Sequence, residues 1–151
     1  MAKILDVHYT KGVITAWQSY TPTFQGFGTP SAVEFQWRQV GQNVEIRGKF
    51  TSGTSTTVEA RIGLPAGLSS AGTGIIPSIQ IIGKCNVSLT SSTYFGGVRV
   101  LAEPSVTYLT LGVETSTVSG TAKSNGDSIV GTSGIVTFFA SVPCSGLSAT
   151  T

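Results

Sequence analysis

At 151 residues the chain is sized for a single domain that buries roughly 70% of its unfolded surface, so no second core is needed. Only 11% of residues are charged, nine basic against seven acidic for a formal +2, and the basic residues are scattered. That argues against a nucleic-acid partner, which would need a basic stripe to neutralise phosphates. With 40% hydrophobic residues and a mean hydropathy of +0.24 there is enough apolar surface to oppose chain entropy, so a folded, weakly charged, strand-rich protein is expected.

The opening, MAKILDVHYTKG, lacks the apolar core of a signal peptide, and no apolar run approaches the ~20 residues of a membrane span. The expectation is a soluble protein made in a cytoplasm, with no membrane insertion. Residues 1–16 hold the only histidine, His8, and a short apolar alternation through Val13 and Ile14. They read as an arm ordered mainly by contact with something else, because a terminal segment is fixed only when it is tied down. Trp17 and Tyr20 lead into TPTFQGFGTPS, where Pro22, Gly26, Gly28 and Pro30 break any helix and leave a loop or edge segment anchored by Phe24 and Phe27.

Residues 33–50, VEFQWRQVGQNVEIRGKF, read as a hairpin. Alternation places Val33, Phe35, Trp37, Val44, Ile46 and Phe50 on an apolar core side, with Glu34, Gln36, Arg38, Glu45, Arg47 and Lys49 opposite. Gly41-Gln42 suits a two-residue type II′ turn. That loop pairs Trp37 with Ile46, Phe35 with Gly48 and Val33 with Phe50. On the polar side it sets Arg38 across from Glu45 and Glu34 across from Lys49, each pair contributing roughly 0.2–1 kcal/mol. A three-residue loop would mix the two faces. The polar side then reads as a solvated or self-associating surface that sets register.

Val58, Ala60, Ile62 and Leu64 alternate as a half-buried strand that stops at Pro65, and residues 66–74 read as a glycine-rich surface loop. The run IIPSIQIIGK from Ile75 is nearly continuous in apolar residues, as expected of a strand covered on both sides or facing a partner chain, with Pro77 at an edge or bulge. Val87 and Leu89 give a short strand, and residues 94–101 another. Glu103-Pro104-Ser105 is a turn, VTYLTLGV a strand, and Asn125-Gly126 a turn within a polar run. The last strand, residues 135–142, ends at Pro143 and leaves residues 144–151 as a fraying tail. Many short strands and no helical periodicity predict an all-β, antiparallel jelly roll or β-sandwich. The expected division is an arm at 1–16, the domain at 17–143 and a flexible tail at 144–151.

No constellation carries chemistry. His8 has no positioned partner. The carboxylates Glu34, Glu45 and Glu59 alternate with basic residues as ladder partners, and the glycine-rich GFGT and SAGTG lack the strand and helix context of a phosphate cradle. Asn125-Gly126-Asp127 lacks the remaining ligands of a calcium loop. Cys85 and Cys144 are too few and too far apart for a Cys-x-x-Cys site and read as reduced thiols acting as small hydrophobes, a disulfide being the other possibility. Aromatics at strand spacing read first as core, although exposed ones would suit a sugar platform. Neither an enzyme nor a cofactor or metal is expected.

The run YTPTFQGFGTPSAVEFQWRQVGQNVEIRGKFTSGTSTTVEARIGLP, with IPSIQIIGK, LAEPSVTYLT and the closing FFASVP, resembles a small jelly-roll domain found at the C-terminus of tailed-bacteriophage virion proteins. The resemblance covers most of the chain from about Trp17 to Pro143, and it implies a homotrimer packed about an axis, with no catalytic residues. Such domains serve as tail-fibre tips and as capsid decorations. A fibre would need a baseplate-binding domain and shaft before this module, whereas about sixteen residues precede it here, so a capsid decoration or cement protein is expected. Its localisation would be the virion and its partners itself and a capsid or other virion protein. Ile4, Leu5, Val7, Tyr9, Val13 and Ile14 are then the anchor candidates, and Ile75, Ile76, Ile79, Ile81 and Ile82 the trimer-interface candidates. The alternative is a receptor-binding tip that recognises a host surface glycan or protein, using exposed aromatics and the loops at 66–74 and 115–128.

Overall fold

The computed structural model describes residues 13–88, 97–114 and 121–147. Its strands are β1 (Gln18–Tyr20), β2 (Phe24–Gln25), β3 (Ser31–Val40), β4 (Asn43–Thr51), β5 (Arg61–Gly63), β6 (Ser69–Ser70), β7 (Gln80–Ser88), β8 (Val98–Ala102), β9 (Tyr108–Glu114), β10 (Thr121–Lys123) and β11 (Ile135–Ser145), with one helical turn, α1 (Gly126–Ile129). All pairings are antiparallel, and the strands follow one another in the order β1-β3-β4-β11-β7-β8-β9-β5-β2. The protein is all-β: a curled antiparallel sheet forming a half-barrel, of the sandwich or jelly-roll kind.

The hairpin β3–β4 has the register that its charges demand. Trp37 pairs with Ile46, Phe35 with Gly48, Arg38 with Glu45, Gln36 with Arg47 and Glu34 with Lys49. Gly41 takes φ +61 at the first central position, the geometry that a type II′ turn reserves for glycine. The expected Val33–Phe50 pair does not form. A bulge lies between Ser31 and Glu34, where Ala32 sits at φ +49, so the register slips before Val33 reaches Phe50.

The inner face is filled by phenylalanines. Phe27, Phe35, Phe50 and Phe138 are buried with Phe24 half-buried among them, and neighbouring ring centroids lie 4.8 Å (Phe24–Phe50), 5.0 Å (Phe27–Phe50) and 5.2 Å (Phe35–Phe138) apart. Val44, Ile46, Val136, Ala140 and Val142 continue the layer. Val33 and Trp37 are half-buried at its rim. Gly48 leaves room for a ring: a methyl group there would lie 2.5 Å from Phe35.

Four expectations are corrected. The run from Ile75 is not one strand: the amides of Ile75 and Ile76 both donate to the Gly72 carbonyl at 3.0 Å, forming a turn, and β7 begins only after Pro77, at Gln80, and continues without a break through Val87. Residues 66–74 are not merely a surface loop, because β6 pairs with the end of β11, and Leu68, Ser70 and Ala71 are buried. Pro143 does not end the last strand. β7 has finished its pairing at Ala140, so Pro143 has no strand on that side, and β11 runs on to Ser145 with Cys144 buried opposite Ser70. Asn125-Gly126 opens α1 rather than a simple turn, and the segment buries Ile129 and Val130.

Phe50→Ala is expected to destabilise the fold by about 3–5 kcal/mol, the range for emptying a buried phenylalanine site, as read from denaturant unfolding. Gly48→Val should also destabilise it, by displacing the Phe35 ring, whereas Gly67→Ala, with open space but φ +82, should show only backbone strain.

Candidate functional site

The inner face is occupied by core side chains, so recognition has to come from the ends and the outer face. Segment 13–15 runs along the free edge of β3: Thr15 N donates to Gln39 O at 3.1 Å, Gly41 N donates to Val13 O at 2.8 Å, and Gln39 N donates to Thr15 Oγ1 at 2.9 Å. Ile14, bridging to Val40, is 68% exposed, whereas Val13 is half-buried. The expected boundary at residue 16 therefore falls inside a paired segment. Ile4, Leu5, Val7, Tyr9 and His8 lie outside the described residues.

The isoleucines after Gly74 divide. Ile76 is fully buried and belongs to the core, which removes it from the interface candidates, and Ile82 is half-buried against the core at the β7 bulge. Ile75, Ile79 and Ile81 are 63%, 43% and 51% exposed. Gln80 pairs with Ala102, the last residue of β8, so these three side chains gather at the end of the half-barrel that also carries the Gly41-Gln42 turn and segment 13–15.

The outer face of the hairpin is more tightly organised than a solvated ladder. Arg38 Nε donates to Glu45 Oε2 at 2.6 Å, Arg47 holds Gln36 Oε1 through Nε and Nη2 at 2.9 and 2.7 Å, and Lys49 lies 3.5 Å from Glu34. Trp17 packs over this ladder, with the Arg38 and Arg47 guanidinium carbons 4.7 and 4.1 Å from its ring centre. Tyr108 is covered likewise by Arg61 at 4.0 Å, and Tyr20 turns its hydroxyl to Gly63 O at 3.2 Å, where burial pushes its ionisation well above the usual tyrosine range. These three aromatics therefore present no bare sugar platform. Tyr94 and residues 115–120 lie outside the described residues.

A second cluster spans β5, β9 and β10. Glu59 accepts from Arg61 Nε at 2.7 Å and from Lys123 Nζ at 3.0 Å, and Lys123 reaches Glu103 Oε1 at 3.0 Å. Partial burial raises the Glu59 carboxyl, but the hydrogen bonds and charges of Arg61 and Lys123 outweigh it and hold the group below its ordinary value. Lys123 is raised by its bonds to Glu59 and Glu103, and Arg61 by Glu59. Two carboxylates against two cations leave no net charge for a ligand, so this network holds strands together. Sequence reasoning had placed Glu59 as a ladder partner but did not foresee Lys123 and Glu103, which reach it from distant segments.

Two clefts open on the outer surface. One of about 680 Å³ lies between β1, β3 and β4, above the gap left by Gly48. The other, of about 500 Å³, is lined by Lys84, Cys85, Asn86, Arg99, Thr137, Phe138 and Phe139. Cys85 and Cys144 are free, and burial pushes both thiols up to about 12, so they stay protonated small hydrophobes. Among the described residues no group of three metal-ligating side chains comes together.

Lys123→Met should lower the urea midpoint most at neutral pH, because Glu59 and Glu103 lose the cation between them. Glu59 is depressed in the folded chain, so its contribution is present above the ordinary carboxylate range near pH 4.3 and is lost as pH falls through the lower folded value. The difference between variant and parent should shrink as unfolding is measured at progressively more acidic pH. Compared with known protein families, with curated proteins and with solved structures, the chain matches none of them.

Proposed function

We propose that the chain is a structural protein of a tailed-phage virion that works as a homotrimer and attaches to the capsid through the segment preceding β1. The observation that carries this reading is the exposure of Ile75, Ile79 and Ile81 at the same end as segment 13–15. Three large apolar side chains grouped at one end of a small domain are costly in water unless a partner covers them. The resemblance of residues 20–64 and of the later motifs to phage virion jelly rolls supports the trimer, and the charge-neutral networks support a role in assembly rather than in catalysis.

A permanent trimer of this kind should bury more than about 2,000 Å² in total. Sedimentation should return a trimer for the full chain and a monomer for the Ile79→Asp, Ile81→Asp double variant; a stable wild-type monomer would remove the reading. Deleting residues 1–12, which spares the Val13 and Thr15 pairings, should leave a trimer that no longer binds capsids. Capsid binding that survives the deletion would refute the anchor. A receptor-binding tip is the second reading, favoured by the open groove beside Phe139, and it predicts adsorption of the isolated protein to host cells, which decoration does not.

A further inference from the structure

The outer face between β4 and β8 carries charge that the fold does not use. One row across the strands runs Arg47, Phe139, Lys84 and Arg99, each directly opposite the next, and a second runs Lys49, Thr137 and Asn86. Residues paired in this way share a face, with strands roughly 4.8 Å apart. Strands β4, β11, β7 and β8 together hold four cations, Arg47, Lys49, Lys84 and Arg99, and one carboxylate, Glu45, which is committed to Arg38 at 2.6 Å. Lys84 and Arg99 face each other, an arrangement that like charges disfavour, and Lys84 has no carboxylate within ion-pair distance among the described residues. Phe139 stands between Arg47 and Lys84 with 49% of its surface in water. A row that breaks the usual pairing rules without a compensating contact in the fold is where a binding function is expected.

We propose that the groove of about 500 Å³ beside Phe139 binds an acidic saccharide, a sugar chain bearing carboxylates. Its size is that of a small-ligand site. Lys84 and Arg99 supply charge for carboxylates, the guanidinium as a planar fork. Asn86 and Thr137 offer donors and acceptors for hydroxyls, and the Phe139 ring supplies an apolar platform for the face of a sugar ring. An acidic polypeptide would answer the charge alone and leave the ring unexplained. Nucleic acid would require the cations to continue as a stripe, and they stop at β8. The groove is on the outer face of the sheet, away from Ile75 and Ile79, so it does not depend on the trimer.

The test is to titrate the full chain with an oligogalacturonate while following backbone amide shifts, with a neutral maltooligosaccharide and polyglutamate as comparators. Shifts centred on Lys84, Asn86, Arg99, Thr137 and Phe139 are expected with the acidic sugar and none with the neutral one. Phe139→Ala should weaken binding about tenfold, the scale of one lost aromatic contact, while Phe139→Tyr retains it. Lys84→Glu should abolish binding with sedimentation and unfolding midpoint unchanged. The proposal is overturned if millimolar oligogalacturonate leaves the groove amides unmoved. It is equally overturned if polyglutamate binds as tightly and is indifferent to Phe139→Ala, which would make the strip a docking face for an acidic protein.

Discussion

The constraint on which the fold depends is a short piece of chain. β1 and β2 are consecutive in sequence yet stand at opposite ends of the sheet order. Four steps of chain from Tyr20 to Phe24 span at most about 14 Å, whereas nine strands laid flat would separate those edges by roughly 38 Å. The sheet therefore has to curl. Gly63 N donates to Thr23 O at 2.8 Å and the Tyr20 hydroxyl to Gly63 O at 3.2 Å, which fastens the two edges where they meet. Curling in turn wraps the inner face around Phe24, Phe27, Phe35, Phe50 and Phe138, so the aromatic core and the closure reinforce one another.

The outer face is not uniform. Over the β3–β4 hairpin and over β5, β9 and β10, nearly every charge has a partner and the exposed aromatic rings are capped by guanidinium groups. Between these regions, the strip across β11 and β7 has the opposite character, with Lys84 and Phe139 left to solvent. Protein surfaces spend charge on solubility as well as on partners, and it is the contrast within one sheet that separates the two uses here.

The hairpin was legible because two patterns agreed on it: apolar alternation fixed the faces, and opposite charges fixed the register. Its one error, the Val33–Phe50 pair, came from Ala32 at φ +49, a backbone choice with no side-chain signature. Apolar continuity from Ile75 misled for a different reason: a buried strand and a surface turn that tucks in a single isoleucine read alike until Ile76 is seen buried and Ile75 and Ile79 exposed. β6 was illegible, since Ser69 and Ser70 carry no pattern and are held by the Ser70 hydroxyl, which accepts from Val106 N at 2.9 Å and donates to Glu103 O at 2.5 Å. The groove was missed because Arg47, Lys84, Arg99 and Phe139 are scattered in sequence and become a row only through register.

β11 is the last described strand in the chain and sits in the middle of the sheet, paired with β4 on one side and β7 on the other. The hairpin β3–β4 and the pair β7–β8 have no pairing with each other, so neither half of the sheet is joined until the ribosome has delivered residues 135–145. Until then both halves expose open edges and apolar faces, the state in which β proteins aggregate. Synthesis and folding are thereby ordered in time: the domain assembles late and in one step, and a chain stalled before β11 is a substrate for chaperones rather than a partial fold.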